Sequence, residues 1–142
     1  MKYPKGIDGS LDRLFKDVVR ESADYECQDC HRNYRHDTRK AHTAHIHSRQ
    51  HRPTRWHVDG AICLCASCHR RFTDFPLEWE GFVRTHYGDD KYDLIKRLAW
   101  TIRKYTPAEK LEMKEHYRAQ LAYMKKRRAN GEGGFIDFVG YD

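Results

Sequence analysis

Two short stretches decide how this chain folds: Cys27-Gln-Asp-Cys30 and Cys65-Ala-Ser-Cys68. Two thiolates with two residues between them form a knuckle whose sulfurs reach one ion. Two knuckles make the tetrahedral sulfur set that zinc favours. A redox site needs one such pair in a βαβ setting, whereas here two pairs lie in a sequence crowded with Arg and His. Thirty-four residues separate Cys30 from Cys65, against about 15–20 in a plain zinc ribbon. A structural Zn2+ at this site therefore closes a long loop. Cys63 is left over as a fifth cysteine and is read as a buried thiol, not a ligand.

That loop is polar and basic. Residues 31–57 hold seven Arg or Lys and seven His, with Asp37 as the only acidic residue. Such a segment cannot fold on its own apolar content, so the ion must organise it and the function is expected there. Residues 40–47 (KAHTAHIH) can run as a short strand, with His45 and His47 on one face and His42 on the other. The plainest use of the loop is to touch phosphates. Arg39, Lys40, Arg49, Arg52 and Arg55 are the candidate DNA contacts, and Arg49 and Arg55 can grip a phosphate through two donors each. His31, His36, His51 and His57 are read as exposed, and His86 and His116 as structural.

The flanks are helical. Ser10 caps a helix to about Ala23, with Leu11, Leu14, Phe15, Val18 and Val19 as its apolar stripe. Residues 61–72 (AICLCASCHRRF) read as a strand turning into a helix. Pro76 opens a helix that stops at Gly88, and Asp89 or Asp90 caps one carrying Leu94, Ile95, Leu98 and Ile102. Thr106-Pro-Ala-Glu109 is a capping box. It opens a helix with Met113, Tyr117, Leu121 and Met124 on one face, which ends before Gly131. The cations Lys125 to Arg128 suit that helix end or track a second DNA segment. The tail, residues 130–142, either docks or pairs as a strand. Trp79 and Trp100 are expected in the core.

A length of 142 residues suits one domain. With 39% apolar and 34% charged residues, the core is thin enough to need a staple. A net charge of +6 favours a polyanionic partner, with nucleic acid the first choice. No apolar run reaches membrane-spanning length. The first ten residues carry Lys2 and Lys5 without an apolar core for a secretory signal, so the expected location is cytoplasmic, where cysteines serve as metal ligands or free thiols.

In chain order, Cys27-x-x-Cys30, Ala44-His45-Ile46, Arg55-Trp56 and residues 59–69 (DGAICLCASCH) resemble the zinc-stapled HNH (His-Me finger) endonucleases. More closely, they are similar to the phage NinG/Rap recombination proteins. The helix from Leu11-Asp-Arg-Leu-Phe15 to Arg20 and His45-Ile-His-Ser-Arg49 add to the likeness. The resemblance implies an α+β fold: a small ββα-metal core stapled by a four-cysteine zinc site, with flanking N- and C-terminal helices. The expected division is 1–26 for the N-terminal helix, 27–88 for the core and 89–142 for the C-terminal helices and tail. It implies DNA cleavage leaving 5′-phosphates, with His45 as general base, Arg49 beside it, and His69 as ligand of a catalytic Mg2+ or Mn2+. Phage or host recombination proteins are the implied partners. Where the family carries a metal-binding Asp or His before the base, this chain has Ala44. His42, three residues before the base, is closest to where the NinG-like pattern has an acid, and His47 or Asp59 are the other substitutes. The family's middle Asn is here Gly60, and Gly60→Asn is expected to keep or raise activity. The same departures suit a zinc module that binds DNA or a recombination protein without cutting, and the Rap likeness admits a resolvase of branched DNA.

Overall fold

A computed structural model describes residues 5–141, and it is mixed helix and strand with a small two-stranded sheet. Helix α1 (Ile7–Ser22) buries Leu11, Phe15, Val18 and Val19, the stripe expected from 3.6-residue spacing. It starts before Ser10 because Asp8 sits in its first turn, where a carboxylate suits the helix dipole. Asp8 is also held there by Arg52 at 2.7 Å and Lys110 at 2.7 Å. After α1, Asp24 and Tyr25 adopt left-handed φ angles of 57° and 56°, turning the chain into the first knuckle.

Strands β1 (Ala41–His45) and β2 (Ala61–Cys65) pair antiparallel, with Thr43 opposite Cys63 and His45 opposite Ala61. The link between them holds one short helical turn, α2 (Arg52–Arg55). β2 is buried along its whole length, which its unbroken apolar sequence requires. The chain passes directly into α3 (Ala66–Asp74), then α4 (Pro76–Tyr87) and α5 (Asp89–Ala99). Gly88, at φ 85°, makes the turn between the last two. These elements share one core of Ile46, Ile62, Leu64, Phe72, Val83, Tyr92 and Ile95.

A second core forms between α1 and α6 (Pro107–Ala129), whose Met113, Tyr117 and Met124 are buried. The capping box is present: Thr106 Oγ1 accepts from the Glu109 amide at 3.1 Å, and the Thr106 amide donates to Glu109 Oε1 at 3.1 Å. Of the two fates open to the tail, docking is observed. The Ile136 amide donates to the Ser22 carbonyl at 2.9 Å, and Ser22 Oγ donates to the Ile136 carbonyl at 2.6 Å. Ile136 and Phe138 thereby finish the core beside Phe15 and Tyr117. The two cores cut across the expected three-part division, since α5 belongs with the hairpin while α6 and the tail close on α1.

Two apolar expectations are corrected. Helix α5 ends at Ala99, so the periodicity that included Ile102 runs past the helix, and Ile102 is 94% exposed. Trp100, expected in the core, is 65% exposed, whereas Trp79 is half-buried against Phe72. Among the described residues, no helix is long and apolar enough to cross a membrane.

Candidate metal centre and histidine site

The first knuckle is a tight reversal built on the backbone. The Cys27 amide donates to the Arg32 carbonyl at 2.9 Å, the His31 amide to the Cys27 carbonyl at 2.8 Å, and His31 takes a left-handed φ of 63°. The second is the junction of β2 with α3, where Cys65 caps the helix and its sulfur accepts from the Cys68 amide at 3.4 Å. The Gln28 amide reaches the Cys63 carbonyl at 2.9 Å, and the Cys63 amide reaches Gln28 Oε1 at 3.2 Å, tying one knuckle to the other. The sulfurs of Cys27, Cys30, Cys65 and Cys68 all lie within 4.8 Å of one another. Zinc–sulfur bonds of about 2.3 Å place tetrahedral sulfurs about 3.8 Å apart, and Cys30 and Cys65 are separated by 3.9 Å. Burial raises the Cys27 and Cys68 thiols above their ordinary range, so forming their thiolates is costly unless a cation is present to offset the charge. The four cysteines could hold a metal such as zinc. Cys63 stays outside the cluster, fully buried, its thiol pushed up to about 12 by burial.

Beside this centre, His42 on β1 and His69 on α3 meet with their Nδ1 atoms 3.0 Å apart. His69 follows the last cysteine on the first turns of α3, so the knuckle itself sets the imidazole against the strand. Of the other substitutes for the family's acid, His47 packs against Trp100 and Tyr92. Asp59 pairs with Lys91 at 3.1 Å. No third His, Cys or carboxylate joins His42 and His69 among the described residues.

Strand alternation puts His45 on the other face of β1, toward Phe15 of α1, with ring centroids 6.0 Å apart. Its Nε2 lies 3.0 Å from the Arg55 carbonyl. A carbonyl only accepts, so Nε2 carries the hydrogen and the lone pair is on Nδ1. Burial, more than the nearby Arg49 and Arg55, holds His45 below the ordinary imidazole range, so it is neutral near pH 7. His45 lines two hollows. One of about 380 Å³ also takes in His42, Arg39 and Arg49, and a smaller one of about 100 Å³ takes in His69 and Ala44.

Asp12, which the sequence pattern leaves without a role, is the hub of this region. It accepts from Arg55 at 3.0 and 2.6 Å, from Arg49 at 3.0 Å, and from Trp56 Nε1 at 2.9 Å. Its side chain is 2% exposed and that of Arg55 8%. The available signal is that Asp12 directly follows Leu11 of the apolar stripe, but its partners lie about forty residues away. The placement reassigns Arg55, which holds Asp12 and carries the carbonyl for His45 instead of presenting a guanidinium to a phosphate. Arg49 is half-buried on Asp12, and Arg52 bonds Asp8. Arg39 and Lys40 are exposed, with only loose pairing to Asp37 at 3.4 and 3.9 Å.

Gly60 is a second correction. A Cβ there would lie 2.1 Å from the Thr54 carbonyl oxygen, so an Asn does not fit this loop. His51 and His57 are half-buried instead of exposed: His51 Nδ1 bonds the Ala99 carbonyl at 3.2 Å, and His57 Nδ1 accepts from the Asp59 amide at 3.0 Å. Of the cations ending α6, Arg128 is committed to Glu21 and Asp24, and Arg127 to Glu132. Comparison with protein-family models, with characterised proteins and with solved structures finds no match to this chain.

Proposed function

We propose that this chain is a metal-dependent DNA endonuclease of the HNH type, its four-cysteine cluster filled by zinc. The observation that carries the reading is the approach of His42 and His69 at 3.0 Å, with His45 on the same strand. The two Nδ1 atoms are at hydrogen-bond distance, and with the ring hydrogens on Nε2 their lone pairs would hold a divalent ion such as Mg2+ or Mn2+. Such an ion supplies positive charge to the transition state and to the leaving oxygen. His45 takes the proton of the attacking water on Nδ1, and the Arg55 carbonyl fixes its tautomer. Arg49 holds the phosphate from the rim of the larger hollow, and Arg39 and Lys40 hold the flanking strand. In this reading the protein works where DNA is, in the cytoplasm of its host cell, alongside phage or host recombination proteins.

The test is incubation of the zinc-loaded protein with plasmid, flap and four-way-junction DNA in Mg2+ or Mn2+. The expected result is breaks with 5′-phosphate ends. His45→Ala should slow cleavage about 10²–10⁴-fold with zinc content unchanged, and His42→Ala and His69→Ala should lose activity that excess Mn2+ partly restores. Preference for the junction would make the enzyme a resolvase. Binding without cleavage in any divalent metal would sink the nuclease reading and leave a zinc module that binds DNA.

A further inference from the structure

A groove of about 580 Å³ lies away from the histidine pair, between α2 and the segment linking α5 to α6. The loop leaving His45 runs into it through His51 and Arg52. Its floor is aromatic. Trp100 stacks on His51 with centroids 4.4 Å apart and planes at 27°, and His47 meets it edge-on at 5.4 Å. His51 is fixed in turn by the Ala99 carbonyl. The indole is thus held from one side, yet Trp100 remains 65% exposed.

The walls of the groove are cationic: Arg52, Arg103, Lys104 and Lys110 line it, and no carboxylate does. Arg52 and Lys110 share Asp8, and Arg103 bonds Glu109 at 3.0 Å, so three of the four are positioned. Lys104 is exposed and paired with no carboxylate among the described residues. An apolar protein segment would cover Lys104 with no carboxylate to offset its charge, and would desolvate the ion pairs of the other three. A nucleic-acid strand satisfies both features: a base stacks on a fixed aromatic face while its phosphates meet the cations. A fully paired duplex offers no free base face to Trp100.

We infer that this groove is a binding site for a single-stranded stretch of DNA, with an unpaired base stacked on Trp100 and the backbone held by Arg103 and Lys104. The inference deepens the nuclease reading by assigning it substrates with an unpaired segment, and it rests on that reading only for the identity of the nucleic acid as DNA.

The experiment is fluorescence-anisotropy titration of a labelled oligothymidine and of a duplex of equal length. It uses the zinc-loaded full chain with no added Mg2+ or Mn2+, so no cleavage is required. Trp100→Ala should weaken oligothymidine binding about 5- to 100-fold, the range for loss of one base stack, and leave the duplex within about twofold. Trp100→Phe, which keeps an aromatic face, should recover most of the loss. Lys104→Glu should weaken single-strand binding and flatten its salt dependence. Zinc content and circular dichroism establish that each variant is folded. Unchanged oligothymidine affinity in folded Trp100→Ala overturns the inference, and so does an equal loss on the duplex. Failure of cleavage with the Trp100 effect intact would remove the nuclease reading alone.

Discussion

Replacing Gly60 with Ala isolates a single contact. The added Cβ would sit 2.1 Å from the Thr54 carbonyl oxygen and 3.2 Å from that of His57. Carbon–oxygen contacts settle at about 3.3 Å or more, so the Thr54 carbonyl must retreat by about 1.2 Å. It is backbone and has no rotamer to escape into. Two hydrogen bonds hang on the same loop: the Gly60 amide to the His57 carbonyl at 2.9 Å, and the Ile46 amide to the Gly60 carbonyl at 2.9 Å. Overpacking of this kind costs about 1–3 kcal/mol, and weakening the two bonds adds about 1 kcal/mol each. The sum, about 3–5 kcal/mol, is a large part of the 5–15 kcal/mol typical of a domain. At about 3 °C per kcal/mol for a chain of this size, Gly60→Ala should melt roughly 10–15 °C lower by calorimetry. Gly60→Asn should fare worse, because it also buries an amide. A Gly60→Asn protein that melts within about 2 °C of wild type would refute this account of the loop, and an equal or higher cleavage rate in it would restore the HNH-like expectation.

Removing Asp12 strands two guanidinium groups and an indole N–H, so Asp12→Ala should cost about 3–5 kcal/mol and lower the urea midpoint by about 2 M. If Asp12→Ala plus Arg55→Met is no more stable than Asp12→Ala alone, the loss does not come from the stranded Arg55. Elemental analysis should find one zinc per chain, and Cys68→Ser should abolish it and unfold the hairpin, given about 10–16 kcal/mol of apparent binding energy in small zinc modules; folded protein without zinc would contradict this. A base must be neutral to work, and burial holds His45 below its ordinary 6.5, so the cleavage rate should rise with pH to a break below 6.5 and stay level above it. A break at or above pH 7 would exclude His45 as that base. By the same sign, the unfolded chain binds a proton at His45 that the folded chain refuses, so stability falls as pH drops through about 6.5.

The sequence was most informative where the physics is local. Cysteine spacing located all four sulfurs of the cluster, and the Thr106–Glu109 pattern placed the start of α6 to the residue. Alternation puts His42 and His45 on opposite faces of β1, as found, but the strand ends at His45, and His47, expected on the face of His45, packs against Tyr92 and Trp100. What stayed hidden is what distance in sequence conceals. Asp12 and Arg55 are 43 residues apart, and nothing in either neighbourhood marks them as partners, so in the sequence an Arg reserved for Asp12 looks like a phosphate contact. Ile102 continued a periodic stripe that the backbone had already abandoned at Ala99, because periodicity records spacing and not where a helix stops. Gly60 looked like a missing side chain, when the close passage of Thr54 leaves no room for one.

The bond between Ser22 and Ile136 spans 114 residues of chain, and this orders events during synthesis. The core built on the hairpin draws on buried residues 27–95, so it can close as soon as that segment leaves the ribosome. Helix α1 emerges before the hairpin but must wait for Met113, Tyr117 and Phe138. Until then the stripe has only Trp56 and Ala61 of the hairpin segment to pack on, and the part that α6 and the tail cover faces water, a surface open to misassociation during synthesis.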